Sequence, residues 1–129
     1  PTRRSSDLMP ICKDTRIYLD ESFDPMQDVE SLIHQIAAMD YVITIDNTVA
    51  FIAGALGIKT YLLLNPNGNW PWEVKKANPS FFPSIEIVKQ MQGESWQEVV
   101  KRLIVIINKS KKKRFGALLK SAIYIKKVS

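Results

Sequence analysis

Apolar residues along the chain switch between two spacings, and this switch predicts a mixed α/β fold. After the acidic stretch of residues 21–27, apolar residues at positions 29, 32, 33 and 36 keep the spacing of one buried helix face. Asp28 precedes this helix and is a residue type that caps helix starts. Tyr41–Ile45 is then an apolar, β-branched run, typical of a strand buried on both faces of a parallel sheet.

The alternation of helix and strand continues to about residue 107. A short strand is predicted over residues 16–19. The later elements are a helix over residues 48–56 that ends at Gly57, strands over residues 60–64 and 85–88, and a helix over residues 96–107 with apolar positions Trp96, Val99, Val100, Leu103 and Ile107. Strand–helix–strand is the repeating unit of a parallel α/β sheet. We therefore expect a Rossmann-like parallel sheet with flanking helices.

Composition sets the class of protein. The 129 residues suit one domain, and 46% hydrophobic with 24% charged residues is ordinary for a globular chain. The lone Cys12 permits no internal disulfide, so we expect a reducing, cytoplasmic setting. No run approaches the roughly 18 apolar residues of a membrane span, and no secretory signal is visible.

The first eight residues do not fit the rest. Residues 1–8 read PTRRSSDL, which resembles one translated frame of a common sequencing adaptor. We interpret them as a disordered scar of cloning or assembly, with a natural disordered arm as the alternative. On this interpretation the chain is a fragment that lacks its natural N-terminal part, and residues 9–108 are its domain.

Positive charge is concentrated at the C-terminus. The formal net charge is +5, yet residues 109–129 hold eight basic residues and no acidic one, and residues 9–108 have a net charge of −4. Residues 109–129 are thus a basic tail, in which a final helix packed on the sheet is one alternative. A solvated segment, a contact with a membrane surface and a nucleic-acid-binding module are the others. Because no stacking aromatics or recognition motif accompany the lysines, we expect no nucleic-acid partner.

The candidate chemistry lies between residues 41 and 72. Asp46 stands where a buried strand ends, the place where open parallel sheets bind ligands. Asn47, Thr48 and Val49 begin the next helix, whose free backbone N–H groups and partial positive charge suit a phosphate. The loop that leaves the next strand adds amides and indoles beside the same crevice, namely Asn65, Asn67, Gly68, Asn69, Trp70 and Trp72. The alternative is that Asp46 and Thr48 only cap a helix and that the two tryptophans pack in the core.

The segment Asp-Asn-Thr-Val-Ala-Phe-Ile-Ala-Gly-Ala-Leu-Gly, residues 46–57, resembles the signature of the heptosyltransferase-like glycosyltransferases of family 9. The resemblance is to the variant often fused behind tetratricopeptide repeats in bacteria. An apolar strand, the Trp70-Pro71-Trp72 element and the Phe82-Pro83-Ser84 step follow in the order seen there. The resemblance covers about residues 28–103.

This resemblance implies the GT-B fold of two facing Rossmann-like domains, of which the chain matches the C-terminal, donor-binding one. It implies a nucleoside-diphosphate sugar as substrate and no metal or other cofactor. Asp46 is expected to face the sugar or phosphates of the donor, and Asn47 and Thr48 to contact its diphosphate. The catalytic base and most acceptor contacts are expected on the other domain, so no catalytic residue is assigned.

Two residues depart from the family pattern. Asn47 stands where the family usually has Thr or Ser, and it still forms hydrogen bonds. Phe51, a further candidate donor-loop contact, stands where the family usually has His, and a phenyl ring neither donates a proton nor binds phosphate. If that His acts on the donor, this chain is a catalytically degenerate nucleotide-sugar-binding domain. If it only braces the loop, Phe51 fills the same space.

A different α/β phosphosugar enzyme, such as an epimerase, is disfavoured by the Trp-x-Trp element.

Overall fold

The chain folds into alternating helices and strands. A computed structural model describes residue 18, residues 20–67, residue 72 and residues 82–113, with the side chains of residues 112 and 113 left aside. The elements run in chain order as α1 (Val29–Ala37), β1 (Tyr41–Ile45), α2 (Thr48–Ala55), β2 (Lys59–Leu64), β3 (Ile85–Lys89) and α3 (Trp96–Lys113). Each helix and strand predicted between residues 28 and 107 is present, with ends shifted by a few residues.

The three strands form one parallel sheet in the order β1-β2-β3. Tyr41 pairs with Lys59 across the first ladder, and Thr60 pairs with Ile85 across the second. The first four residues of β1 are all buried, as the apolar run predicted for a strand covered on both faces. The predicted α/β class with a parallel sheet and flanking helices is confirmed, and it is compatible with a Rossmann-like fold.

The helices lie on both faces of the sheet. Because side chains alternate along a strand, neighbouring residues of β1 point into different layers. Tyr41 and Ile43 belong to one cluster with Val99 and Leu103 of α3. Val42, between them, packs with residues of α1 and α2. Thus α1 and α2 cover one face, and α3 covers the other.

Small residues allow α2 to pack closely against Phe82 and Ile85, at the start of β3. Ala50 and Ala53 are fully buried, and a Cβ atom added at Gly54 would lie 2.5 Å from Cγ of Phe82 and 2.9 Å from Cδ1 of Ile85. The helix stops at Gly57, whose φ of 70° is the left-handed conformation predicted for it. The short apolar sequence of α2 therefore reflects a tight approach that larger residues would prevent.

The last helix differs from its prediction in length and in buried face. α3 continues to Lys113, six residues beyond the predicted end at residue 107, so the basic run begins inside the helix. Lysine is a good helix former, and no glycine or proline interrupts the run before residue 116. Val99 and Leu103 are buried as their spacing predicted, but Trp96 and Val100 are 45% and 43% exposed. The sheet covers a narrower arc of α3 than the apolar residues occupy.

Several predictions fall largely outside the described residues. These are the scar at residues 1–8, the strand at residues 16–19 and the part of the basic tail after residue 113. Their structures stay predictions, as does the domain boundary at residue 108. None of the described helices is both long and apolar enough to cross a membrane.

We predict that Gly54→Ala lowers the free energy of unfolding by about 1–3 kcal/mol, the range found when a close-packed site is overfilled. The new methyl group would overlap the ring of Phe82. That overlap is expected to outweigh the roughly 1 kcal/mol of helix propensity gained when alanine replaces glycine. Urea unfolding followed by circular dichroism measures the change.

Gly93→Ala is the matched control, because Gly93 has a φ of 77° and nothing within 4 Å of its added Cβ. Its expected cost is the roughly 1–2 kcal/mol of a left-handed alanine. Adding Phe82→Leu should restore part of the lost stability to Gly54→Ala and none to Gly93→Ala. Equal effects of Phe82→Leu in both backgrounds would contradict the overlap.

Candidate functional site

Polar residues follow every strand at one edge of the sheet. Asp46 follows β1, Asn65 follows β2 and Gln90 follows β3. Parallel strands place their carboxyl ends together, and α2 begins at the same edge with Thr48. This edge is the candidate site. Of the predicted loop contacts, Asn65 and Asn67 are exposed here, whereas Gly68, Asn69 and Trp70 lie outside the described residues.

Asp46 is held in place by Trp72. The indole N–H of Trp72 donates a hydrogen bond to Oδ1 of Asp46 at 2.7 Å. Trp72 itself is 1% exposed and packs with Leu62 and Leu64 of β2. Of the two interpretations of this tryptophan, the structure therefore favours the core residue over a ring offered to a ligand. Its polar atom nevertheless reaches the site and orients an exposed carboxylate.

Phe51 braces this tryptophan from the solvent side. Its ring centroid lies 4.8 Å from that of Trp72 at an interplanar angle of 44°, and 6.4 Å from that of Phe82 in an edge-on arrangement. Phe51 remains 41% exposed. Aromatic pairs at such separations stabilise one another by about 0.5–1.5 kcal/mol beyond area burial. At this position the phenyl ring helps to fix Trp72, and through it Asp46.

One side-chain oxygen of Asn47 joins the end of β1 to the start of α2. Oδ1 accepts hydrogen bonds from the backbone N–H groups of Val49 at 3.0 Å and Ala50 at 3.4 Å, and lies 3.1 Å from the hydroxyl of Thr44. Asn47 is thus the N-cap of α2. Its amide nitrogen, Nδ2, is buried and has no hydrogen-bond partner among the described residues. A buried donor without an acceptor costs about 1–3 kcal/mol, so an acceptor oxygen is favoured here.

The four residues expected to bind phosphate thus have different environments. Val49 is 4% exposed and its N–H is already bonded to Asn47, so it contributes to the helix start rather than to a ligand contact. Thr48 is exposed in the first turn of α2. The groups suited to an anion are therefore the Thr48 hydroxyl, the partial positive charge of the helix start and the Nδ2 donor of Asn47.

The start of α3 is occupied by carboxylates, unlike the start of α2. Ser95 and Glu98 form a reciprocal capping box, in which the Ser95 N–H donates to Oε2 of Glu98 at 2.8 Å. These hydrogen bonds from Ser95 lower the pKa of the Glu98 carboxyl. Glu94 receives hydrogen bonds from Arg102, which lower its pKa, and from the N–H of Met91. Carboxylates thus occupy the start of α3, whereas the first turn of α2 contains no acidic residue.

A donor set for a metal ion was not found in the described part of the chain, where no three His, Cys, Asp or Glu residues cluster. The described site instead offers hydrogen-bond donors, one exposed carboxylate and a helix start. Sequence reasoning missed Thr44, whose hydroxyl reaches Oδ1 of Asn47. The sequence feature that indicates such a role is a hydroxyl residue near the end of an otherwise apolar strand.

No family model, curated protein or solved structure was found that matches this chain. The likeness to family 9 glycosyltransferases rests on the motif residues themselves. The geometry of the edge formed by Asp46, Asn47 and Thr48 is therefore the structural basis for a function.

We predict that Trp72→Phe lowers the free energy of unfolding by about 1–2 kcal/mol, because it keeps a ring in the core but removes the N–H that binds the Asp46 carboxylate. Chemical unfolding measures the loss. Trp96→Phe is the matched control, since Trp96 is exposed, and its effect should stay within about 0.5 kcal/mol.

A double-mutant cycle isolates the hydrogen bond from the change in ring size. In an Asp46→Ala background, Trp72→Phe should cost less than in the wild type by about 1 kcal/mol. Additive effects of the two substitutions would show that Trp72 stabilises the fold by packing alone.

We predict that Glu94→Gln destabilises the protein more at neutral pH than in acid. The hydrogen bond from Arg102 holds the pKa of Glu94 below its ordinary value of 4.5. Such a carboxyl adds stability above its unfolded pKa, and this stability is lost as the pH falls through the folded pKa. The difference in Tm between wild type and variant should therefore shrink below pH 4.5.

The same substitution in an Arg102→Leu background tests the cause. Without the guanidinium, the pH dependence of the Glu94→Gln effect should become weaker. An unchanged pH profile would show that Arg102 does not set the pKa of Glu94.

Proposed function

We propose that this chain is the donor-binding half of a GT-B glycosyltransferase, and that it binds a nucleoside-diphosphate sugar at the carboxyl edge of its sheet. The observation that carries the proposal is the junction of β1 and α2. There a helix start without acidic residues adjoins an exposed threonine, a buried amide donor and a fixed carboxylate. The motif resemblance of residues 46–57 supports the same assignment.

The diphosphate is assigned to Thr48 and the start of α2. A phosphate oxygen accepts hydrogen bonds, and the described donors suited to it are the Thr48 hydroxyl and Nδ2 of Asn47. The partial positive charge of the helix start stabilises the charge that develops on a leaving nucleoside diphosphate. This electrostatic role is the reason that no metal is required by the proposal.

The sugar, rather than the phosphates, is assigned to Asp46. A carboxylate repels a diphosphate but accepts hydrogen bonds from sugar hydroxyls. Trp72 holds Oδ1 of Asp46, so the carboxylate keeps one orientation while it remains exposed. Asn65 and Asn67 are proposed as further donor contacts, together with Gly68, Asn69 and Trp70 of the same loop.

The packing of Phe51 favours a second candidate within the same binding function. Phe51 touches Trp72 and Phe82, which is a bracing role that needs no proton transfer. Such packing leaves donor binding intact, but a phenyl ring supplies none of the chemistry of a His that acts on the donor. Nucleotide-sugar binding without sugar transfer is therefore the alternative, and the partner domain is proposed to hold the catalytic base and the acceptor.

We predict that the chain binds one of UDP, GDP, ADP or CDP in isothermal titration calorimetry, and that Asn47→Asp weakens this binding by at least about tenfold. Aspartate caps a helix as well as asparagine does, so Oδ1 can still accept from Val49 and Ala50. The substitution replaces the Nδ2 donor with a negatively charged oxygen, which repels phosphate. Unfolding curves should show that the fold survives the change.

Asp28→Asn is the matched control, because it makes the reverse exchange at the N-cap of α1, where Oδ1 accepts from the N–H of Ser31. It should leave nucleotide binding unchanged. Binding that survives Asn47→Asp, or that falls equally with both variants, would contradict the assigned site. Failure of all four nucleotides to bind at millimolar concentration would contradict the proposed function.

A further inference from the structure

α3 presents a row of large apolar side chains to solvent. Trp96, Val100 and Ile104 are spaced four residues apart and are 45%, 43% and 51% exposed. Residues four apart lie on one side of a helix, displaced by about 40° at each step. These three residues form the outer stripe of α3. It adjoins the buried Val99 and Leu103 but extends beyond the arc that the sheet covers.

The outer stripe is not explained by the core. Val99 and Leu103 are at most 4% exposed and supply the contact of α3 with the sheet. Scattered exposed apolar residues are ordinary, whereas contiguous exposed apolar surface is typical of interaction sites. α3 lies on the opposite face of the sheet from α2, the helix that begins at Asn47 and Thr48 of the candidate site.

The charges of α3 identify the partner. The helix contains six basic residues and one acidic residue, Glu98, which is engaged in the capping box with Ser95. Lys111 is seven residues after Ile104 and so lies close to the line of the stripe, and Lys101 lies beside it. Both lysines are exposed. A surface that binds this face must accept apolar side chains and carry negative charge.

We propose that α3 binds the surface of a membrane that contains anionic lipids, with the outer stripe among the acyl chains and the lysines at the headgroups. An apolar stripe flanked by lysines, with a tryptophan at one end, is the pattern of a helix that lies in the membrane interface. The inference is independent of the nucleotide site.

Two other partners fit the surface less well. A second copy of the chain would place one cationic α3 against another, which costs electrostatic energy. A nucleic acid would meet the lysines, but valine and isoleucine neither stack on bases nor form hydrogen bonds with them. An anionic bilayer satisfies both the charge and the apolar surface.

Co-sedimentation of the full chain with vesicles tests the proposal. Vesicles of phosphatidylcholine with about 30 mol% phosphatidylglycerol should bind it at least about tenfold more strongly than vesicles of phosphatidylcholine alone. Lys101→Gln combined with Lys111→Gln should weaken that binding about tenfold. Equal binding to both vesicle types, or to neither, would overturn the proposal.

The apolar contribution needs its own variant, because the basic residues after position 113 are also present in the chain. Val100→Gln combined with Ile104→Gln leaves every charge in place and should reduce binding to anionic vesicles about tenfold. Val105→Gln is the matched control: Val105 is 52% exposed on the same helix but is rotated about 100° from Ile104. It should bind as the wild type does.

Three results would overturn the assignment to the outer stripe. One is an unchanged affinity of the Val100→Gln, Ile104→Gln variant, which would mean that the lysines alone bind the vesicles. Another is an equal loss in Val105→Gln. The third is self-association in analytical ultracentrifugation without vesicles that the double substitution abolishes, which would make a second copy the partner. Circular dichroism confirms that each variant is folded.

Discussion

The described architecture depends on the hydrogen bonds that the side-chain oxygen of Asn47 accepts. It receives the N–H groups that begin α2, and the Thr44 hydroxyl at the end of β1 lies within hydrogen-bond distance of it. The strand therefore ends and the helix begins within two residues, Asp46 and Asn47. Such a short junction places the first turn of α2 directly at the carboxyl edge of the sheet. A longer or uncapped connection would separate the helix start from Asp46.

Fold and site share the residue Trp72. Its ring fills the core beside β2, and its N–H orients the Asp46 carboxylate at the surface. Phe51 packs on the same ring, so the aromatic contacts and the polar contact support one another. Stability and the geometry of the candidate site are consequently coupled here. A change that loosens this aromatic group is expected to affect both, whereas the outer stripe of α3 can vary without disturbing the edge.

Local patterns predicted most of the fold. The cap at Asp28, the buried run of β1 and the left-handed Gly57 are each determined by a few consecutive residues, and each is found. The bond between Trp72 and Asp46 spans 26 residues, so no local pattern indicates it. Periodicity likewise indicates which side of a helix is apolar, but it does not indicate how much of that side the neighbouring sheet covers. This is why Trp96 and Val100 share the helical spacing of the buried Val99 and Leu103 and are nevertheless exposed.

The placement of the helices on the two faces determines the edge of the sheet at which further strands would pair. Connections between parallel strands are right-handed. Because α1 shares a face with α2, a strand that leads into α1 by such a crossover lies beyond β1, on the side away from β2. α3 covers the opposite face, so a right-handed crossover through α3 would also place a following strand on the β1 side of the sheet. Among the described strands, β1 is therefore the edge at which either crossover would add a strand.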